Sequence, residues 1–415
     1  MRSPICLLFL LALPLTCTAG QPALPLDEAV ARAVATAPDV AVGVEAAAAM
    51  RDLAVSAGRL PDPALIVGLE DVPVEGPDAW STSADFMTMT NFGLMQEFPN
   101  RATRRLERER ASAEVGVADA ELSDIRLRVA RETARAWIRS ATIESALEAL
   151  ARLRPEVELG ATAARAGVTA GRASTAEALA AEAAVVRLET RLIDFRGRVR
   201  QARADLAHWI GEEAERPLAP PPAFDALPAQ AAGLVDGAGQ HARILPFDAR
   251  LDAARTAAEL ARSERRPGWS AELMFGKRGP DFDDMASLQF TIDLPLFARH
   301  RQDPVIASRQ ADVRRLEAER DSGLRAYQAE LRRVWIEWEQ AGAQLEQFDR
   351  ELLPLARERS RAALAAYRSG VADLRLVTDA LEDEIDLLVE RAELANARGS
   401  AWAFLRFLEA RQLPG

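Results

Sequence analysis

The 415-residue chain has few of the residues that usually carry enzymatic or metal chemistry. It contains two cysteines, three histidines and a single lysine. The histidines, His208, His241 and His300, lie far apart in the sequence, so no metal-ligand spacing is present. No glycine-rich phosphate loop follows a strand-like segment. We therefore expect a protein that is not an enzyme and that needs no cofactor and no resident metal.

The chain also lacks an excess of positive charge and a long apolar segment. Its formal net charge is −11, which disfavours nucleic acid as a partner. After the N-terminal segment, no stretch has about 18 consecutive apolar residues, the length that indicates a transmembrane helix. Any role in a membrane must therefore use β-strands.

The N-terminal segment, MRSPICLLFLLALPLTCTAG, has the pattern of a secretory signal. One early arginine precedes an apolar run from Ile5 to Leu15, and small residues follow. This predicts a signal peptide over residues 1–19 and export of the protein. Cleavage there would remove Cys6 and Cys17 and leave a chain without thiols. Lipid attachment at Cys17 is the alternative, although Pro14-Leu15-Thr16 is a poor match to the sequence expected before a lipidated cysteine.

The main positive feature of the sequence is an internal duplication. The segment from Pro38 to Glu70 aligns with the one from Ile244 to Lys277, so that Pro61 matches Pro267. FGLMQEFPNR aligns with FTIDLPLFAR further along the two copies. A unit of about 200 residues is much longer than a solenoid repeat. The chain should therefore contain two structurally similar halves.

This alignment predicts the organisation of the whole chain. We expect a first repeat over residues 20–212, with a β-hairpin at about 62–99 and a helical hairpin at about 101–212. A proline-rich linker over 213–243 should be an exposed connector. The second repeat should cover 244–415, with its β-hairpin at about 268–297 and its helical hairpin at about 299–410.

Four stretches carry apolar residues at the three-and-four spacing of coiled coils, starting near Val115, Val185, Leu324 and Leu374. The first and third run for about 50 residues, or roughly 75 Å as helices. Helices of ordinary globular domains are much shorter, which argues against a simple helical bundle. The third apolar seam contains ten residues: Leu324, Tyr327, Leu331, Val334, Trp338, Ala341, Leu345, Phe348, Leu352 and Leu355.

Between the helical stretches, apolar and polar residues alternate, as they do from Trp269 to Phe275 and from Ala286 to Leu294. Alternation over about ten residues is typical of a membrane β-strand, but also of a half-solvated sheet in a soluble protein. Four strands cannot close a barrel, whereas three chains would supply twelve strands and twelve long helices. Met87, Met89 and Met95 share one strand face, which we interpret as wall packing rather than a soft-metal relay.

The joins between helices and strands carry a family resemblance. They are Arg59-Leu60-Pro61 and Arg265-Arg266-Pro267, and, at the opposite strand ends, Gln96-Glu97-Phe98-Pro99 and the segment from Asp293 to Phe297. With the duplicated order of elements, from about Leu26 to Leu408, they resemble the TolC family of outer membrane factors. The sequences QEFP and DLPLF at these joins are most similar to those of the CzcC/CusC branch, which partners heavy-metal efflux pumps.

This resemblance implies a fold and a role. The fold would be mainly α with a small membrane β part, and a homotrimer would form a 12-stranded β-barrel continued by a 12-helix periplasmic α-barrel. The protein would lie in the outer membrane of a Gram-negative-type envelope, in contact with lipid, and extend into the periplasm. It would be the passive exit duct of a tripartite efflux system for metal resistance, with a periplasmic adaptor and an inner-membrane pump of the RND type, and heavy-metal cations as the substrate class. A type I protein-secretion duct is one alternative, and a periplasmic coiled-coil scaffold is another of a different class.

The resemblance also suggests site residues at the helical tips. In the family, a glycine in the second tip is followed by two aspartates that form the closed aperture; the glycine corresponds to Gly370 and the second aspartate to Asp379. The first aspartate falls on Leu376 and a family arginine falls on Ala372, so the acidic ring is thinner or is rebuilt with Asp373 or Glu382. The candidates for the tips themselves, and for adaptor docking, are Gly171, Gly370 and Arg368.

Overall fold

A computed structural model of the chain describes residues 22–227, 233 and 237–408. The predicted signal peptide, including Cys17, lies outside the described residues. The described chain is mostly helical, with one small antiparallel sheet, which confirms the fold class expected from the sequence at this level.

The elements follow one another in the same order twice. A helical segment leads into two strands, then into a very long helix, a short helix and a second long helix. In the first set these are α1 (Leu26–Thr36), α2 (Pro38–Ser56), β1 (Ala64–Glu70), β2 (Met89–Phe98), α3 (Arg101–Ala151), α4 (Arg154–Thr169) and α5 (Thr175–Ile210). In the second set they are α6 (Leu245–Ser263), β3 (Trp269–Arg278), β4 (Met285–Ile292), α7 (Gln302–Gln347), α8 (Leu353–Arg368) and α9 (Leu374–Arg406).

The four strands form a single sheet in the order β1-β2-β3-β4, with every neighbouring pair antiparallel. Strands β2 and β3, which come from different halves of the sequence, pair along their whole length from Met89↔Arg278 to Phe98↔Trp269. The duplicated halves therefore meet edge to edge in the sheet.

Prolines mark the ends of the long helices α3 and α7 at corresponding positions of the two repeats. Helix α3 begins after Asn100, whose side-chain oxygen accepts a hydrogen bond from the Ala102 N–H at 2.8 Å, and continues for 51 residues. Helices α4 and α8 each start with a proline in the first turn, Pro155 and Pro354. Because proline lacks an N–H and clashes with the preceding turn, it is tolerated at a helix start but not in a helix interior.

A π-helical turn over Phe348–Leu352 connects α7 to α8. Because of this turn, the last part of the predicted third apolar seam is wrong about which residues are buried. Leu352 and Leu355 were expected on the buried face, but they are 38% and 62% exposed. Leu353 and Ala356 are buried instead. A π turn accommodates one extra residue, and one residue corresponds to about 100° around an α-helix. The apolar face therefore moves forward by one position after the turn.

The described residues of the proline-rich linker are tied to the helices and are only partly exposed, in contrast to the exposed connector expected from its composition. Three tryptophan indole N–H groups donate to backbone carbonyls of the segments around it: Trp137 to Leu24 at 3.1 Å, Trp338 to Phe224 at 2.9 Å and Trp402 to Ala226 at 3.0 Å. The buried Arg216 guanidinium also donates to the Pro22 carbonyl at 2.7 Å and to the Glu28 carboxylate at 2.7 Å. Donors that lie away from water need such partners, so the described residues of the linker are part of the packed structure.

Across the described residues, no single helix is both long enough and apolar enough to cross a membrane. The bent pair of α1 and α2, which meet at 42°, reaches that length and composition only when the two are taken together.

Candidate functional site

One face of the sheet is apolar and exposed across all four strands. Because the strands pair in register, Leu65, Leu94, Leu273 and Leu288 form a continuous row, and they are 74%, 53%, 59% and 61% exposed. Neighbouring rows on the same face add further exposed apolar side chains: Val67, Leu69, Phe92, Phe275, Phe290 and Ile292. A contiguous patch of this kind marks a surface that contacts a membrane or another protein.

The two ends of this apolar face differ from its middle. At the end next to the long helices, the rings of Phe98 and Trp269 stack with centroids 4.1 Å apart. At the opposite end, the row contains Thr90 and Lys277. Aromatic rings at a border and a long basic side chain at the other edge are typical of a surface that spans from one interface of a bilayer to the other.

The opposite face of the sheet has a different composition, which includes Asn91, Glu272, Gln289, three glycines and four methionines. Each strand thus has one apolar side and one mixed polar side. Strands β1 and β4 each pair on one side only among the described residues, so both outer edges of the sheet have free backbone groups.

The two helical tips at the other end of the described chain have the same backbone geometry. Gly171 and Gly370 are both in the left-handed region, with φ of 68° and 76°. At each tip the residue after the glycine donates its N–H to a carbonyl in the last helical turn: Arg172 to Gly167 at 2.8 Å and Val371 to Ala366 at 2.9 Å. This is the glycine-terminated helix end in which an L-residue would be strained.

The helices that follow the two tips are capped differently. At α5, Ser174 and Glu177 form a capping box, in which the Glu177 N–H donates to Ser174 Oγ at 3.2 Å and the Ser174 N–H donates to the Glu177 carboxylate at 2.6 Å. At α9, Asp373 occupies the N-cap position without a side-chain hydrogen bond, and Leu376 stands where Glu177 stands in the first tip. The second tip therefore lacks this stabilising interaction.

The acidic candidates all lie on α9 or directly before it. Asp379 is exposed, and its carboxylate is 3.8 Å from the Arg375 guanidinium one turn earlier. Glu382 lies one turn further on and forms an ion pair at 2.7 Å with Arg187 of α5. Asp373 is exposed at the start of the helix. Asp379 and Glu382 share a face of α9 because they are three residues apart, whereas Asp373 stands alone at the tip.

Arg368 is the last residue of α8 and is exposed, next to Gly370. The preceding residue, Tyr367, joins the two tips, because its hydroxyl oxygen lies 3.3 Å from the point where a Cβ on Gly167 would be. Burial raises the pKa of Tyr367, and the nearby Glu177 carboxylate acts in the same direction.

Sequence reasoning missed both the Tyr367 contact and the Arg187–Glu382 ion pair. Each joins the two halves of the chain. A periodicity within one helix gives no signal for such a contact, because it shows which face is buried and not which helix covers that face.

Comparisons with known proteins agree with this geometry. Residues 33–212 match the family model described as outer membrane efflux protein. No protein with a curated description matches the chain.

Solved structures share the fold over nearly the whole chain. VceC, an outer membrane protein of Vibrio cholerae, is 20% identical to this chain, with a TM-score of 0.76. The match covers 94% of this chain and 96% of VceC. The outer-membrane channel OprN is 16% identical with a TM-score of 0.78, covering 94% of this chain and 90% of OprN. CusC, described as forming a transmembrane channel, is 15% identical with a TM-score of 0.74 and 95% coverage of both chains. At these identities the likeness concerns the fold.

Proposed function

We propose that this protein is a passive, non-enzymatic exit duct in the outer membrane of a Gram-negative-type envelope, and a member of the outer membrane factors. The observation that carries the proposal is the exposed apolar face of a four-stranded sheet whose strands lead directly into helices of 51 and 46 residues. The match to an outer membrane efflux family and the fold shared with outer-membrane channels support the same role.

The apolar face needs an apolar environment. Each large apolar side chain moved out of water contributes about 1.5–3 kcal/mol, and about ten such side chains lie on this face in continuous rows. A periplasmic scaffold with this sheet would leave that surface in water, where it would promote aggregation. A lipid bilayer provides the environment that the surface requires, which favours the duct over the scaffold.

The sheet also needs partners for its free edges. Irregular or unpaired backbone is not tolerated in lipid, so a membrane sheet must close on itself. Four strands are too few for closure, and three copies joined from the β4 edge of one protomer to the β1 edge of the next would give a 12-stranded barrel. The helices of three protomers would then continue the barrel as a periplasmic tube of twelve helices.

At the far end of this tube, the tips would serve as the gate and as the docking site of partners. Asp379 and Glu382, repeated in three copies, would form acidic rings at a constriction, with Asp373 at the rim. Gly171, Gly370 and Arg368 would face a periplasmic adaptor that connects the duct to an inner-membrane pump, which we propose is of the RND type. Heavy-metal cations are the substrate class that we propose, by the likeness of the joins to the CzcC/CusC branch.

Electrical recording in planar bilayers tests this function. Purified protein should migrate as a trimer in detergent and, after reconstitution, should conduct potassium ions in discrete steps. Monomeric protein without conductance, recovered from the soluble periplasmic fraction, would reject the duct and support the scaffold. Trimers that conduct but that copurify with an ATP-driven protein exporter would assign the same architecture to type I secretion.

A further inference from the structure

We propose that Glu384 sets the balance between the closed and the open form of the second helical hairpin, which consists of α8 and α9. Its carboxylate is buried between the two helices without a hydrogen-bond partner, so it destabilises their closed packing and favours their separation. This inference rests on the duct proposed above and concerns how that duct opens. The stability of the hairpin can nevertheless be measured without any channel activity.

Glu384 occupies a core position of α9. Its side chain belongs to a residue that is only 2% exposed, and no other carboxylate among the described residues is buried. Along the helix it continues the three-and-four spacing of the buried residues Val377, Leu381 and Leu388. A polar residue at one position of such a seam is tolerated at a cost in stability. Glu384 is therefore placed where an apolar side chain would stabilise the hairpin.

The carboxylate of Glu384 also lacks the partners that a buried charge needs. Its Oε2 atom is buried and has no hydrogen-bond partner within the described chain. Its Oε1 atom lies 3.8 Å from Nε of Arg357 on α8, which is too far for a hydrogen bond, and the arginine side chain is 51% exposed. Removing a carboxylate from water is costly unless it is both paired and hydrogen-bonded. Arg357 therefore compensates only a small part of this cost.

The other polar side chains between α8 and α9 are already engaged. Ser360 is buried and donates its hydroxyl to the Ala380 carbonyl at 3.2 Å. Arg359 forms an exposed ion pair with Asp383, and such pairs contribute little to stability. Neither donor is shared with Glu384 in the described structure. The packing of the hairpin thus surrounds this carboxylate without satisfying it.

The first helical hairpin, which consists of α4 and α5, lacks this feature. Both helices are fully described, and none of their polar side chains is buried. Counted from the tip glycines Gly171 and Gly370, the position of Glu384 corresponds to Val185, which packs against the apolar core. The second tip is also the one without a capping box. Both differences lower the stability of the second hairpin relative to the first.

Separation of α8 from α9 would change the surroundings of Glu384. Water would then reach the carboxylate, and the unfavourable free energy of its burial would be released. Glu384 therefore reduces the free-energy difference between the closed and the open hairpin without contacting a substrate or a partner. A docked partner that favours the open form would have to supply correspondingly less binding free energy.

Hydrogen exchange of the purified full-length protein in detergent tests this inference. Glu384→Leu removes the buried charge and leaves Arg357 in contact with water. Backbone amides of α8 and α9 should then exchange at least about tenfold more slowly than in the parent, because apolar replacements of buried ionic groups are often stabilising. Exchange in α4 and α5 should not change. Glu390→Leu, at an exposed position of α9, is the matched control and should exchange as the parent does.

Glu384→Gln is a second variant that nearly preserves the shape of the side chain and removes only its charge. It should also slow exchange in α8 and α9, by a smaller factor, because an amide is less costly to bury than a carboxylate. Unchanged or faster exchange in this hairpin overturns the proposal. If Glu384→Leu does not fold, the glutamine variant alone decides.

Single-channel recording distinguishes this inference from the duct itself. In a conducting parent, Glu384→Leu should lower the open probability by a factor similar to that seen in exchange, whereas Glu390→Leu should not. An unchanged open probability contradicts a role of Glu384 in opening and leaves the duct intact. Slower exchange in a protein that conducts nothing contradicts the duct and leaves the destabilising effect of Glu384 intact.

Discussion

Single residues on the sheet separate the two faces of the proposed barrel wall. Leu273 lies in the middle of the exposed row on β3, with Leu94 on one side and Leu288 on the other. Gln289, on the edge strand β4, points to the opposite face because it pairs with Glu272. The two positions are close in space but should face lipid and lumen respectively.

Leu273→Arg should therefore prevent stable insertion, because a charged side chain near the middle of the lipid-facing surface costs about 2–4 kcal/mol. Quantifying trimer in the outer-membrane fraction checks this, and the trimer should be strongly reduced. Gln289→Arg is the matched control on the other face and should insert normally. Equal losses in the two variants would contradict the assignment of the faces.

A second residue-scale prediction concerns the tip. Asp379→Ala should raise the basal conductance, because it removes one carboxylate from each copy of the proposed acidic ring. Asp383, four residues later on α9, pairs with Arg359 of α8 instead, so Asp383→Ala should leave the conductance unchanged. Single-channel recording compares the two variants. Unchanged conductance in Asp379→Ala would remove this residue from the gate.

The Glu28–Arg216 contact predicts a dependence of stability on pH. Hydrogen bonding to the Arg216 guanidinium lowers the pKa of Glu28 below its usual value of 4.5. Since the folded-state pKa is lowered, this contact stabilises the protein above pH 4.5, and the stabilisation is lost as the pH falls through the folded-state pKa. Thermal melts of Glu28→Gln and of the parent should differ at pH 7, and the difference should shrink as the pH falls through the lowered pKa of Glu28. A constant difference between the two would contradict this linkage.

At the scale of elements, α5 and α9 connect the two helical hairpins through ion pairs. Arg187 pairs with Glu382 at 2.7 Å, and Arg191 approaches Asp386 at 3.6 Å. Both pairs are exposed, so each contributes only about 0.2–1 kcal/mol to stability. Their effect should instead be on the relative position of the hairpins at the tip.

Arg187→Glu should increase spontaneous opening of the duct, because it places two carboxylates where an ion pair was. The charge-swapped double variant Arg187→Glu, Glu382→Arg should restore the parental open probability in single-channel records. If the swap leaves the channel as open as the single variant, the ion pair does not hold the hairpins together.

Much of the element order follows from sequence patterns, and the failures have physical causes. Period-two alternation located β3 and β4, and the three-and-four spacing located the long helices. Strand β2 starts only at Met89, and just before it the Thr88 hydroxyl donates to the Asp71 carbonyl at 2.8 Å at the loop end. Such a contact between the two ends of a loop has no periodicity.

The π turn at Phe348–Leu352 could not be predicted for a related reason. Its residues, Phe348 to Leu352, continue the apolar spacing of α7, so the sequence indicates an uninterrupted helix. The change of phase is visible only in the folded chain, where Leu353 and Ala356 are buried and Leu352 and Leu355 are exposed, which is a tertiary effect. The acidic tip residues, by contrast, were placed by resemblance, and their role as a gate stays a prediction.

At the scale of the whole molecule, the duplication explains why one chain presents two different edges. Strand β1 ends one side of the sheet and β4 ends the other, and the two internal strands β2 and β3 join the halves. A sheet with two unlike free edges can associate head to tail, and such an arrangement forms a ring when the rotation closes. The central claim is that three copies close this ring.

Cross-linking between the two edges tests that claim most directly. With both native cysteines replaced by serine, one new cysteine is placed on each edge, Gly68→Cys on β1 and Ser287→Cys on β4, and membranes are treated with a short bifunctional thiol reagent. We expect a ladder on denaturing gels that stops at the trimer, while chains with only one of the two cysteines give no trimer. Monomer alone, or a ladder that continues beyond three, would contradict a closed barrel of three copies.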